Sequence, residues 1–199
     1  MSNDILQGKT HLVIDDLVAD SFANKILSDL CNPFFPWYLS RTLLTVKSHE
    51  FENAKQDYDN IQEYLAFIHV FFSNDDGNTI CNSESAHLAE DLFRAILEKL
   101  NLNTGEILRV KANFQTQHRS KINGTHNTPH IDNETPHYAG IYYVNDCDGD
   151  TFLFDGTKEI AKISPKKGRI VIFDGATLHA GSHPYNSDFR MVINFNFKV

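Results

Sequence analysis

Between positions 189 and 197 apolar and polar side chains alternate without a break, and this pattern constrains the fold more than any other feature of the chain. Phe189, Met191, Ile193, Phe195 and Phe197 fall on one face, and Arg190, Val192, Asn194 and Asn196 on the other. Period-two alternation of this length predicts a β-strand whose first face is covered by an apolar layer. The second face looks into something polar. A guanidinium on the inner side of a sheet is costly unless it meets an anion, and its planar fork suits a carboxylate. That anion is either one of the 26 acidic side chains of the chain itself or part of a ligand.

The same rhythm recurs along much of the 199-residue chain. Segments 38–46, 64–72, 107–115, 139–145, 151–154, 159–163 and 169–173 also read as strands, separated by turns such as Asp148-Gly149 and Asp155-Gly156. Two helices are expected. Residues 17–30 space Leu17, Val18, Phe22, Ile26, Leu27 and Leu30 at helical intervals and are closed by Pro33 and Pro36; residues 85–100 carry a stripe of Leu88, Leu92, Ile96 and Leu100, with Ser83 or Ser85 as the cap. No repeat, linker or composition break divides the chain. We therefore expect a single domain over residues 1–199, with a core at about 105–199 and a helix-and-strand elaboration at 1–104. The expected class is α+β, mainly β, with a sandwich or jelly-roll body and N-terminal supporting helices. The long polar stretch 118–137 breaks the rhythm and holds four of the ten histidines, and connections of that length are usually functional or disordered.

Charge and composition remove several classes. A net charge of −8 does not suit a phosphate-neutralising surface, so nucleic acid is not an expected partner. The most apolar run, 66–72, contains His69 and falls far short of the ~20 residues that cross a bilayer. Residues 1–10 lack the basic start and apolar stretch of a signal peptide, so a soluble, cytoplasmic protein is expected. Cys31, Cys81 and Cys147 form no C-x-x-C pair, which argues against a disulfide framework and a thiolate zinc site. The sequons at Asn123 and Asn133 are then expected to stay unmodified.

The chemistry-bearing residues occur in a fixed order. His130-Ile131-Asp132 lies in the long polar stretch, and alone it carries little weight, because one such pair is expected by chance in a chain this rich in His and Asp. About 50 residues later comes His179, and 11 residues after that Arg190. Two imidazoles and one carboxylate on one face of a metal leave open positions, the arrangement of non-haem Fe(II) oxygenases. A buried cation nearby would anchor the far carboxylate of a chelating cosubstrate.

In this order the chain resembles the Fe(II)/2-oxoglutarate-dependent dioxygenases, in the prolyl-4-hydroxylase-like branch with its small phage and bacterial members. The resemblance spans roughly 108–197. It rests on His130-Ile-Asp132, Ile141-Tyr-Tyr-Val-Asn145, Gly149-Asp-Thr-Phe152, Pro165-Lys-Lys-Gly-Arg-Ile-Val-Ile-Phe173, His179 and Arg190, with Phe35-Pro-Trp-Tyr38 similar to the start of phage-type members. It implies a double-stranded β-helix with iron held by His130, Asp132 and His179. It implies that Arg190 pairs with the distal carboxylate of 2-oxoglutarate, assisted by Tyr143, with Thr151 lining the same pocket and Asn113 near the proximal carboxylate. The implied reaction consumes O2 and 2-oxoglutarate, releases succinate and CO2 and hydroxylates a C–H bond, with ascorbate a further candidate reductant. A peptidyl proline is the first substrate candidate, followed by a free amino acid or another small metabolite, in the cytoplasm of a bacterium or a phage-infected host. The stretch 118–137, with Arg119 and Lys121, is expected to cover the site. Arg190 stands where collagen-type prolyl hydroxylases carry Lys, and Val192 replaces a small hydroxylated residue, which removes one hydrogen bond to the cosubstrate.

Other classes stay open at this level. The run Asp146-x-Asp148-x-Asp150 begins like a calcium loop, but Thr151 and Thr157 stand where an EF-hand needs Gly and Glu. His126, His130 and His137 could form a zinc cluster. A non-enzymatic jelly roll, as a binding module or viral structural domain, would need neither the His-x-Asp pair nor an inward Arg. A nucleic-acid demethylase would want a second arginine after Arg190, where only Lys198 is basic.

Overall fold

The computed structural model describes residues 5–40, 66–75, 77–118 and 126–199. Eleven strands and two helices are described in chain order: β1 (His11–Ile14), α1 (Asp20–Leu30), β2 (Tyr38–Ser40), β3 (Ala66–Asp75), β4 (Asn78–Cys81), α2 (Ala86–Lys99), β5 (Glu106–Thr116), β6 (Tyr138–Tyr143), β7 (Thr151–Asp155), β8 (Lys158–Ile163), β9 (Ile170–Asp174), β10 (Leu178–Gly181) and β11 (Phe189–Lys198). Eight strands form a large antiparallel sheet in the order β1-β9-β6-β11-β5-β3-β2, with β4 also paired to β3. A second sheet has the order β10-β7-β8. The mainly β, jelly-roll expectation is borne out.

The alternation of β11 is realised as read. Met191, Ile193, Phe195 and Phe197 join one apolar core with Ile26 and Leu30 of α1 and Leu88, Leu92 and Ile96 of α2. Phe93 of α2 stacks on Phe195 at 6.3 Å and meets the edge of Phe197 at 5.5 Å. Each fully buried side chain of this kind contributes about 1.5–3 kcal/mol relative to exposure, so the helices cover the outer face of the large sheet. On the other side, Val192 packs with Ile141, Tyr143, Leu153, Val171 and Phe173 between the two sheets.

Several local readings shift. The first helix starts at Asp20, because Leu17 donates its N–H to Gly168 O at 2.9 Å and is committed to the sheet side. Ser85 occupies the N-cap position of α2 without a side-chain cap bond; the Ser83 hydroxyl instead accepts the Ser85 N–H at 3.0 Å and bonds His69 Nε2 at 2.7 Å. The strand expected over 38–46 is described only as far as Ser40, and its remainder, with residues 64 and 65 of the next, lies outside the described residues. Strands β1 and β4 had no signal in the sequence. β1 is an edge strand of four residues paired with β9, and β4 is exposed throughout; neither carries the alternation that burial on one face imposes.

Gly175 marks a close approach. A Cβ there would collide with the His137 ring, which is buried and held by a 2.7 Å bond between His137 Nδ1 and Thr135 O, while Gly175 N–H donates to His137 O at 2.8 Å. Gly175→Ala is expected to cost about 1–3 kcal/mol by overpacking. An unchanged urea midpoint would contradict this placement.

Candidate metal centre and anion pocket

Two segments deliver the two histidines and the aspartate. His179 lies on β10, and His130 sits beside it through a two-bond antiparallel bridge: His130 N–H donates to His179 O and His179 N–H to His130 O, both at 3.0 Å. This bridge places the two rings 4.6 Å apart. Each Nδ1 faces a carbonyl two residues back, His130 to Thr128 O at 3.0 Å and His179 to Thr177 O at 3.2 Å. A proton on Nδ1 directed at a carbonyl leaves the Nε2 lone pair free to ligate. The Nε2 atoms lie 3.9 Å and 3.8 Å from the Asp132 carboxylate oxygens, and the three ligand atoms all fall within 4.8 Å of one another.

Protonation favours the same use. Burial, followed by the charge of His179, pushes His130 down to about 3, and burial likewise lowers His179. Both imidazoles are therefore neutral near pH 7 and lose no proton on binding a cation. Burial opposes the charge on Asp132, but Arg109, the two histidines and Lys111 outweigh it and hold the carboxyl well below the usual range. The donor set is two neutral imidazoles and one carboxylate, which fits a divalent ion such as Fe(II).

Asp132 is held on both oxygens. Arg109 Nη2 donates to Oδ1 at 2.5 Å and Asn196 Nδ2 to Oδ2 at 3.0 Å, while Arg109 Nε donates to Asn196 Oδ1 at 3.1 Å. The result is a closed ring linking β5, β11 and the 130–132 segment. Arg109 and Asn196 were absent from the sequence reading as partners of Asp132. Their signal was available, since Arg109, Lys111, Asn113 and Gln115 alternate along β5 just as Arg190 to Asn196 do along β11, and the register aligns the two rows.

Arg190 is 4% exposed and lies on the inner face. Its Nε donates to Gly149 O at 2.7 Å, Nη1 to Gln115 Oε1 at 2.8 Å and Nη2 to Thr151 Oγ1 at 2.9 Å. The Tyr143 hydroxyl donates to the same Thr151 oxygen at 2.8 Å, and its ring centroid is 6.0 Å from the guanidinium carbon. Arg190, Tyr143 and Thr151 are thus brought together. Each of these partners is neutral, and among the described residues no carboxylate pairs with Arg190.

One cavity joins these groups, lined by His130, His179, Arg190, Val192, Ile141 and a set of carboxamides. Asn113 Oδ1, Gln115 Nε2, Asn194 Oδ1 and both polar atoms of Asn127 are buried there without a hydrogen-bond partner among the described residues. Each such orphan costs about 1–3 kcal/mol, and their convergence around an uncompensated guanidinium is what a small dianion would relieve. 2-Oxoglutarate has that chemistry, so the residues present fit it.

The competing readings lose their residues. His130, Asp132 and His179 are the metal-competent group found among the described residues. His126 packs in tilted contact with Phe152 and Phe154 at 5.2 Å and 5.1 Å, and His137 packs over Gly175, so these two do not join His130 in a zinc cluster. The acidic run is spent on structure: Asp148 accepts backbone N–H bonds from Tyr185, Asn186 and Ser187, Asp146 accepts the Lys167 N–H at 2.8 Å, and Asp150 pairs with Lys162 at 2.9 Å. Of the stretch 118–137, Asn127 and His130 line the cavity and His126 packs on Phe152 and Phe154 of the second sheet; Arg119 and Lys121 lie outside the described residues.

Comparison with known proteins agrees with this geometry. Residues 114–198 match the sequence model of the 2OG-Fe(II) oxygenase superfamily. No curated protein matches the chain. Among solved structures, a 2OG-Fe(II) oxygenase family oxidoreductase from Burkholderia pseudomallei aligns with a TM-score of 0.71 at 10% identity, covering 97% of this chain and 87% of its own. A Trichoplax adhaerens prolyl hydroxylase, solved with a hypoxia inducible factor peptide fragment, aligns at 0.60 and 15%, covering 97% and 86%. The viral collagen prolyl hydroxylase of Paramecium bursaria Chlorella virus-1, solved as a 2OG complex, aligns at 0.54 and 15%, covering 97% and 98%. These likenesses show a shared fold. The resemblance read from the sequence is borne out as a likeness to that superfamily over residues 114–198.

The ring around Asp132 generates a test. Removing a partner that orients a metal ligand typically costs 10–100-fold in metal affinity. Arg109→Gln and Asn196→Ala are each expected to weaken Mn(II) binding by that factor, read by calorimetry. Wild-type affinity in both variants would show that the ring does not orient the ligand.

Proposed function

We propose that the chain, a 2OG-Fe(II) oxygenase by its match over residues 114–198, hydroxylates an unactivated C–H bond, with a peptidyl proline as the leading substrate. Residues 105–199 are taken as the oxygenase core and residues 1–104 as its support. The observation that carries the proposal is a cavity lined both by His130 and His179 of the metal-competent His130–Asp132–His179 group and by a buried Arg190 that pairs with no acid among the described residues. The peptide preference is supported by structural neighbours whose names specify prolyl hydroxylation. No described helix is long and apolar enough to cross a membrane, and the free thiols of Cys31, Cys81 and Cys147 suit a reducing cytoplasm.

The division of labour follows from the residues. His130 and His179 present unprotonated Nε2 atoms, and Asp132 supplies one negative charge and is kept in register by Arg109 and Asn196. Arg190, steadied by Gly149, Gln115 and Thr151, offers its fork to the distal carboxylate of 2-oxoglutarate, with the Tyr143 hydroxyl alongside; Asn113 faces the nearer end. Bound together, Fe(II) and 2-oxoglutarate supply the reduction of O2 that yields succinate, CO2 and one oxygen atom for the substrate. No general acid or base is required of the side chains, so the site consists of ligands, an anchor and a wall. The apolar wall of Ile141, Val192 and Phe173 keeps solvent from the reacting groups, and the second sheet fixes the orientation of what binds.

Purified protein supplied with Fe(II), 2-oxoglutarate, ascorbate and O2 is expected to form succinate, and His130→Ala and Asp132→Ala to abolish it. No succinate, together with no 2-oxoglutarate-dependent absorption band on the Fe(II) protein, would overturn the proposal. Arg190→Ala should weaken 2-oxoglutarate binding about 10–100-fold, the worth of a charge-assisted pair, while Mn(II) affinity stays within about threefold. Equal loss of both would make Arg190 a structural residue.

A further inference from the structure

The inner face carries another cation that neither the triad nor Arg190 explains. Lys111 of β5 pairs in register with Asn194 of β11, is 8% exposed and lines the same cavity as His130, His179 and Arg190. Among the described residues its ammonium makes no ion pair. Asp132, the acid whose charge reaches it, is already engaged by Arg109 at 2.5 Å and Asn196 at 3.0 Å. An ion on the triad would commit the charge of Asp132 further and add positive charge beside Lys111.

A buried ammonium without a counter-charge is costly, and such costs persist where function requires them. Arg190 cannot be the partner, and one carboxylate group does not serve both cations. Arg190 pairs in register with Gln115, four residues along β5 from Lys111, which at about 3.4 Å per residue separates their backbone positions by about 14 Å. The Arg190 guanidinium is also tied at its own end to Gly149, Gln115 and Thr151. The cavity therefore has two cationic poles, one remote from the triad and one beside it.

We propose that Lys111 is a carboxylate-recognition residue at the triad end of the cavity, separate from Arg190, which holds an acid group of one of the molecules reacting there. This rests on the oxygenase reading. The acid group comes either from the keto-acid end of 2-oxoglutarate or from the substrate, and in the second case the enzyme selects substrates that carry a carboxylate close to the hydroxylated carbon.

The test uses the full chain without O2, as wild type, Lys111→Met and Lys111→Arg. Mn(II) is titrated first, then 2-oxoglutarate onto the Mn(II) protein, then acetate onto the Mn(II)–2-oxoglutarate complex. Lys111→Met is expected to melt no lower than wild type without ligand and to bind Mn(II) at least as tightly, because a repelling charge has gone. It is expected to lose at least tenfold in affinity for one of the two carboxylates, with Lys111→Arg recovering most of the loss. Loss of 2-oxoglutarate affinity assigns the acid group to the cosubstrate; loss of acetate binding alone assigns it to the substrate. A Lys111→Met protein that binds both as wild type does overturns the proposal, as does one with weakened Mn(II) binding, which would make Lys111 a support for Asp132. Wild-type protein that fails to bind 2-oxoglutarate overturns the oxygenase reading instead, and acetate titrated onto the Mn(II) protein then decides the role of Lys111.

Discussion

The buried guanidinium of Arg190 is the constraint around which the interior is arranged. It leaves the central strand of the large sheet, reaches the second sheet at Gly149 and Thr151, and takes Gln115 from the neighbouring strand. Three neutral acceptors satisfy part of its hydrogen-bonding capacity and none of its charge. An interior built this way is stable enough to fold because the outer face of the same strand is packed against two helices, and burial there offsets what the inner face costs. The two faces of one strand thus divide the work of folding and of binding.

Metal competence depends on main-chain geometry as much as on side chains. The reciprocal bonds between His130 and His179 graft the long polar segment onto the second sheet, so that residues 49 positions apart in sequence become cross-strand neighbours. Thr128 and Thr177 carbonyls then orient both rings, and Arg109 with Asn196 orients the carboxylate. This preorganisation leaves little for the ion to arrange on binding, and it places the donors on rigid elements rather than on a free loop.

Glycine supplies the clearances that the two sheets need. A Cβ on Gly149 would meet the Arg190 side chain at 2.7 Å and Ser182 O at 2.8 Å, and one on Gly181 would crowd the guanidinium. The Gly149-Asp-Thr-Phe152 motif is therefore legible as packing: Gly149 lets the arginine pass and offers it a carbonyl, and Thr151 receives it.

The sequence by itself determined the strand alternation, the helix stripe of Leu88, Leu92 and Ile96, and the inward position of Arg190, because period and polarity are local consequences of burial on one face. The order His130, Asp132, His179, Arg190 was likewise legible. The same polar alternation in residues 109–115 was visible too, but which acid Arg109 would meet, and that Lys111 would meet none among the described residues, are questions of register between β5 and β11. Only the tertiary structure decided them, along with the edge strands β1 and β4, the dispersal of His126 and His137 away from His130, and the absence of an acid beside Arg190 among the described residues. Each is a long-range pairing, and no periodicity within a segment records which other segment lies across from it.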